Sequence, residues 1–204
     1  EQQGPRVHIV FLMLKSNIGE VLPLLDLAGT LGIGDVVLIN PVLICDTQQD
    51  AEKAFVCDGP SPYASLLQAD EKAQRLGIRL VRPDLSPGRA AVCSENPLVN
   101  LYISVDGDVS PCVFLYPPTG SPFHHVFCGR DAETGRVSFG NIFREPFERI
   151  WNRADYRAFR DRFAARKKAS GMTGWGLTGI MRRAKREMPD PPEPCRTCHK
   201  ILGL

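Results

Sequence analysis

Two cysteines separated by two residues, Cys195-Arg196-Thr197-Cys198, are the sharpest chemical signal in this chain. A turn of that length points both sulfurs inward, so one metal centre can take both, and four such thiolates suit zinc or iron–sulfur. The pair supplies half of that set. Cys112 follows Pro111 at the end of one strand-like run, and Cys93 lies just before the run that would pair with it, so the two sulfurs can meet at the open end of a hairpin. The spacing nominates Cys93, Cys112, Cys195 and Cys198 as metal ligands and leaves structural zinc and an iron–sulfur cluster both open.

The chain has seven cysteines in 204 residues, and an odd number cannot all pair as disulfides. No basic-then-apolar secretion signal is visible, so ligation in a reducing cytoplasm is the expectation. Cys45 and Cys57, each isolated in loop-like sequence, are expected to be small apolar fillers. Cys128 lies close to His124 and His125 and is kept as a spare ligand or substrate-facing thiol, while the histidine pair is expected to face solvent.

These sulfurs need a scaffold, and 43% hydrophobic residues can bury one. A formal net charge of +2 is too mild to make nucleic acid or an acidic membrane surface an obligatory partner. No run of about 18 apolar residues exists, so no bilayer-spanning segment is expected and the chain reads as soluble. Nine basic residues between Arg144 and Lys168, against four acidic ones, read as a solvated helix face. Gly174, Gly176 and Gly179 match no phosphate loop, because no Lys-Ser/Thr pair follows a strand.

Residues 7–14 form a near-continuous apolar run, predicted to be a strand buried on both faces of a parallel sheet. Lys15-Ser16-Asn17 offers caps for a helix carrying Val21, Leu24, Leu25, Leu27, Ala28 and Leu31, closed by Gly32, and a second strand spans 35–40. After a polar stretch from Cys45 to Pro62, a helix over 63–76 with Leu66, Leu67, Ala69, Ala73 and Leu76 on one side ends at Gly77, before a third strand at 78–81. Strand and helix alternate with Leu-Gly-Ile at both helix exits, the pattern of consecutive units of an α/β barrel. Ser16, Asn17 and Asn40 lie at strand carboxyl ends, where barrel enzymes place ligand contacts, although capping explains the first two equally well.

Three strands leave sheet edges bare, which with the abrupt start predicts missing upstream sequence or a complementing chain. Residues 83–90 turn to Pro, Gly, Asp, Ser and Arg, which marks a domain boundary. Beyond it, strands at 98–105 and 109–115 flank Asp106-Gly107-Asp108 as a hairpin. Helices are predicted over 146–152 and 155–168, with a mobile linker at about 169–194.

From Cys93 through Gly107 and Pro111-Cys112, then Phe139-Gly140-Asn141-Ile142, Ile150-Trp151, Tyr156, Phe159-Arg160 and finally Pro194-Cys195-Arg196-Thr197-Cys198-His199-Lys200, the chain resembles radical S-adenosylmethionine enzymes that carry a SPASM or shorter twitch auxiliary domain. Full SPASM domains carry more terminal cysteines and two auxiliary clusters, so the one-cluster twitch type fits better. The resemblance implies residues 1–88 as the rear part of a partial TIM-type barrel and 89–204 as a small α+β auxiliary domain. It implies a 4Fe-4S cluster on Cys93, Cys112, Cys195 and Cys198, used in electron transfer or substrate support, in peptide or protein modification or cofactor maturation.

The family cleaves S-adenosylmethionine at another cluster, held by Cys-x3-Cys-x2-Cys, and no cysteines here have that spacing. The chain is therefore expected to act only within a longer enzyme, together with the other barrel half, a reductant such as flavodoxin or ferredoxin, and a possible peptide substrate. A zinc-stabilised binding module and a stand-alone iron–sulfur electron carrier are the alternatives.

Overall fold

Two Leu-Gly-Ile sequences, 45 positions apart, stop two helices in the same way. Helix α1 (Val21–Thr30) ends with Gly32 at φ +68°, where Gly32 N donates to Gly29 O and Ile33 N to Ala28 O. Helix α3 (Ser65–Leu76) ends with Gly77 at φ +69°, where Gly77 N donates to Gln74 O and Ile78 N to Ala73 O. Both are Schellman stops, in which a left-handed residue lets two N–H groups turn back onto the last carbonyls, and only glycine adopts that conformation without strain.

The structure, a computed structural model, describes residues 6–61, 63, 65–171 and 187–204. It divides into two units, Glu1–Gly88 with Leu204 and Arg89–Gly203, parting within the Pro- and Gly-containing stretch after Val81. In the first unit, strands β1 (His8–Leu12), β2 (Asp35–Ile39) and β3 (Arg79–Val81) form a parallel sheet in that order. His8 pairs with Asp35, and Asp35 with Arg79. Helices α1 and α3 pack on each other, with Gly29 fitting closely against Leu76.

The sheet is not buried on both faces as predicted. Val36 and Leu38 of β2 are buried, as are Val21, Leu25 and Ala28 of α1 and Leu66, Ala69 and Ala73 of α3. The opposite parity, Val10, Leu12, Ile39 and Val81, remains exposed. The reason is geometric: both crossover helices cover the same sheet face, and a helix buries only a stripe of its circumference. For the same reason Leu27, Leu31 and Leu67, assigned to buried helix faces, are exposed.

Asn17 stands at the N-cap of a 3-10 turn (Ile18–Glu20), but its side chain does not cap it. Its Oδ1 accepts from Leu14 N and its Nδ2 donates to Leu12 O, tying down the end of β1. Asn40, just past β2, is buried and donates from Nδ2 to Asp84 O. The polar stretch after Cys45 contains a helix that the sequence reading missed, α2 (Thr47–Glu52). Asp46 Oδ1 accepts from Gln49 N, and Gln49 Oε1 accepts from Cys45 N, so an Asp-x-x-Gln capping pair was its signal. Cys45 is exposed and fills no core.

In the second unit, β4 (Tyr102–Ile103) and β5 (Val109–Ser110) pair antiparallel. They are shorter than predicted because Pro111 has no N–H to continue the ladder and residues 113–115 coil into a 3-10 turn. Gly107 alone in the connecting loop takes a positive φ, +84°, with Gly107 N on Ser104 O and Ser104 N on Asp108 O. That is a turn closed by a glycine bulge. Residues 139–142 run beside β5, with Phe139 N donating to Val109 O and Val109 N to Gly140 O.

A second hairpin, β6 (Phe123–Phe127) and β7 (Arg130–Thr134), turns at Cys128-Gly129, both with positive φ. Helices α4 (Phe147–Trp151) and α5 (Ala154–Ala169) complete the unit. Its core joins Val109, Leu115, Phe139, Ile150, Tyr156 and Phe163 with Cys195 and Ile201. Phe139 stacks on Tyr156 at 4.2 Å, and the Arg160 guanidinium lies 3.8 Å over Trp151. The predicted linker at 169–194 falls largely outside the described residues, as do Gly174, Gly176 and Gly179. No helix among the described residues is long and apolar enough to cross a membrane.

Candidate metal centre

Three of the four nominated cysteines head a tight turn whose backbone N–H groups face the sulfur. Cys93 opens the turn closed by Asn96 N on Cys93 O, and the N–H groups of Glu95 and Asn96 hydrogen-bond its thiol. Cys112 precedes the 3-10 turn Val113–Leu115, and the N–H groups of Phe114 and Leu115 do the same. Cys198 precedes the turn His199–Leu202, with the N–H of Lys200 on its sulfur. The first N–H groups of a helical turn have no partner within it, so a sulfur placed there satisfies them, and they in turn favour its thiolate. Cys195 ends the turn Glu193–Cys195 and is buried in the core.

All four thiols lie close enough to feel one another's charge: Cys195 interacts with Cys198, Cys112 and Cys93, Cys112 with Cys198 and Cys93, and Cys198 with Cys93. Burial is the main cause that raises each pKa, and mutual repulsion adds to it. Cys112 is pushed up to about 12 and Cys198 to about 11. Cys195 is pushed up furthest, and Cys93 rises for the same main reason. Lys200 lowers Cys93 and Cys198, while Glu95, 3.5 Å from Lys200, works against it. A cationic centre would offset this repulsion and hold all four as thiolates.

Four thiolates suit either zinc or an iron–sulfur cluster, so the donor set alone leaves both centres open.

The surroundings include residues that the sequence reading misplaced. His125 was expected in solvent but is buried, its Nε2 3.1 Å from Thr197 O and 3.2 Å from Thr197 Oγ1. Period-2 alternation points His124 outward toward Glu133 and so turns His125 inward. His199, also buried, accepts from Cys128 N at 3.3 Å and meets the Phe127 ring at 5.0 Å. Phe123, Val126 and Phe127 before Gly129 were the only signal for the hairpin that carries these contacts, because its second strand, Arg-Asp-Ala-Glu-Thr, has one strand-favouring residue, Thr134. Cys57, in the first unit, is half-buried.

Arg166 was read as part of a solvated face, yet it is only 2% exposed. It bonds the carbonyls of Ala90 and Ala91, because its position on α5 places it in line with the buried Tyr156, Phe159 and Phe163.

No curated protein and no solved structure matches the chain. A family model described as SPASM, an iron-sulfur cluster-binding domain, matches residues 93–174, opening on Cys93 and taking in Cys112, both hairpins and both helices. Residues 93–174 of the second unit thus match a SPASM iron–sulfur cluster-binding domain.

Proposed function

We propose that Cys93, Cys112, Cys195 and Cys198 hold one auxiliary 4Fe-4S cluster, and that the chain is the C-terminal part of a radical S-adenosylmethionine enzyme. The observation that carries the ligand set is the convergence of four mutually interacting thiols at one site, three of them facing backbone N–H donors. The SPASM iron–sulfur family match over residues 93–174 favours a cluster over zinc. When bound, such a cluster supplies one-electron chemistry at a potential set by burial and by hydrogen bonds to its sulfurs. Four thiolates fill its ligand sites, which favours electron transfer or support of substrate over direct substrate binding at iron.

The first unit is the rear of a partial TIM-type barrel in this reading. A parallel sheet with helices on one face and exposed Val10, Leu12, Ile39 and Val81 on the other is what a barrel segment presents toward its interior. The remaining strands would come from a longer chain or a complementing one, and would bring the Cys-x3-Cys-x2-Cys site that these residues lack. A flavodoxin or ferredoxin would supply electrons, and a peptide is the substrate class suggested by the family resemblance.

The test is anaerobic reconstitution of the full chain with iron and sulfide, followed by iron and zinc counting and low-temperature electron paramagnetic resonance. About four irons per chain and a reduced-cluster signal, both lost in the Cys195→Ala/Cys198→Ala double variant, are expected. Stoichiometric zinc without an iron signal would overturn the assignment.

A further inference from the structure

Arg166 is one of the largest fully buried side chains in the protein, and its guanidinium donates only to neutral acceptors. Nε bonds Ala91 O at 3.1 Å, Nη2 bonds Ala90 O at 2.6 Å, and Nη1 bonds Pro189 O. These bonds use three of the five guanidinium N–H groups and neutralise none of its charge. Asp190 and the Cys195 sulfur offset that charge only in part, and a buried charge left partly uncompensated is costly.

The guanidinium lines a cleft of about 330 Å³ with Arg89, Asp190, Arg196, Ile201 and Leu202. Three arginines thus face one aspartate. The Asp190 carboxylate is already shared with Arg196 at 3.9 Å, and its carbonyl accepts from Arg162 Nε at 2.8 Å. Repulsion from Arg89 joins burial in lowering the Arg166 pKa, as expected where positive charge is in excess. The other wall is apolar, made by Ile201 and Leu202 from the turn that follows Cys198.

We infer that this cleft binds a small anionic molecule, with a carboxylate or phosphate held by Arg89, Arg166 and Arg196 and an apolar body laid against Ile201 and Leu202. Guanidinium groups recognise both oxyanions through paired N–H donors. The volume exceeds what a bare anion needs and falls at the lower end of small-molecule sites. The inference stands on the arginines and holds whichever metal the cysteines take. Arg196, however, lies between Cys195 and Cys198, so an occupied cleft would sit beside the ligand turn.

The test titrates the full, anaerobically reconstituted chain by calorimetry with inorganic phosphate and, separately, with glutarate, against sodium chloride at equal ionic strength. One saturable site per chain is expected for at least one of the two, and which one binds decides between phosphate and carboxylate. Affinity should fall about tenfold in Arg89→Gln and in Arg196→Gln, and stay unchanged in Arg149→Gln on α4. Because a variant can fail to fold, a second measurement uses the unaltered chain: the bound anion should protect Arg89 and Arg196, but not Arg149, from phenylglyoxal in peptide mapping. Absence of saturable binding by either anion beyond the chloride control, or modification of Arg89 and Arg196 that neither anion slows, would overturn the inference.

Discussion

His125 Nε2 lies 3.1 Å from the carbonyl oxygen of Thr197, a residue 72 positions away and set between Cys195 and Cys198. The second hairpin therefore holds the ligand turn through one buried imidazole. His125 Nδ1 has no hydrogen-bond partner among the described residues, so the ring's polar contact is concentrated on that turn. His125→Ala would free the Thr197 carbonyl and loosen the spacing of the two sulfurs. One buried hydrogen bond contributes about 1 kcal/mol, which corresponds to roughly fivefold faster loss of iron to a chelator under anaerobic conditions. His125→Gln restores a donor near the position of Nε2 and should return the rate toward wild type. Equal rates in all three proteins would show that the contact does not hold the turn.

Gly107 is fixed by two independent constraints. Its φ of +84° disfavours side chains, and a Cβ there would lie 2.6 Å from Phe143 Cδ2 and 2.8 Å from Asn141 Oδ1. Phe143 is exposed and can swing away, but Asn141 bonds Asp106 O at 2.7 Å and Phe143 N at 2.9 Å, so it cannot yield without losing the junction. Gly107→Ala should cost about 2 kcal/mol, with the backbone and the displaced amide each contributing. Urea unfolding would show this as a lower midpoint with an unchanged slope.

Arg166 ties the start of the second unit to the segment at Pro189. Replacing it with methionine keeps much of its length but leaves the carbonyls of Ala90, Ala91 and Pro189 without their donor. The loss should be about 3 kcal/mol, larger than for a surface arginine such as Arg149. Thermal unfolding of the two variants side by side measures the difference, and equal small shifts would refute the buried role.

What could be read from the sequence was local, and what could not was a matter of distance along the chain. The stops at Gly32 and Gly77 and the glycine bulge at Gly107 follow from short-range chemistry, as does the strand–helix–strand order. Whether Val10 and Leu12 are covered depends on which side the crossover helices take, a tertiary choice that their apolar character does not reveal. His125 looked like a solvent residue because its partner is Thr197, and Arg166 looked like one of many surface cations because its acceptors lie about 75 residues upstream. The cysteines were prominent by type and spacing. The N–H groups at Glu95, Asn96, Phe114, Leu115 and Lys200 that face them belong to the backbone and carry no signature in residue type.

The Tyr116 hydroxyl donates to Asp108 Oδ2 at 2.7 Å, which gives the first hairpin a stability limit at each end of the pH scale. That bond, helped by Asn141 and Ser138, lowers the Asp108 pKa below its ordinary 3.8. A carboxylate with a depressed folded pKa contributes stability that is complete above 3.8 and is lost as pH falls through the lower folded value. The same bond is the main cause raising the Tyr116 pKa above its ordinary 10. A phenol with a raised pKa contributes stability that is complete below 10 and is lost as pH rises through the folded value. Tyr116→Phe removes the donor, so it should lower stability across the neutral range and flatten both the acid and the alkaline limb. Asp108→Asn should flatten the acid limb as well, because no carboxylate remains to protonate. Urea midpoints of the three proteins, followed from pH 3 to pH 11, test this, and an acid limb of undiminished slope in Tyr116→Phe would show that other carboxylates govern acid unfolding.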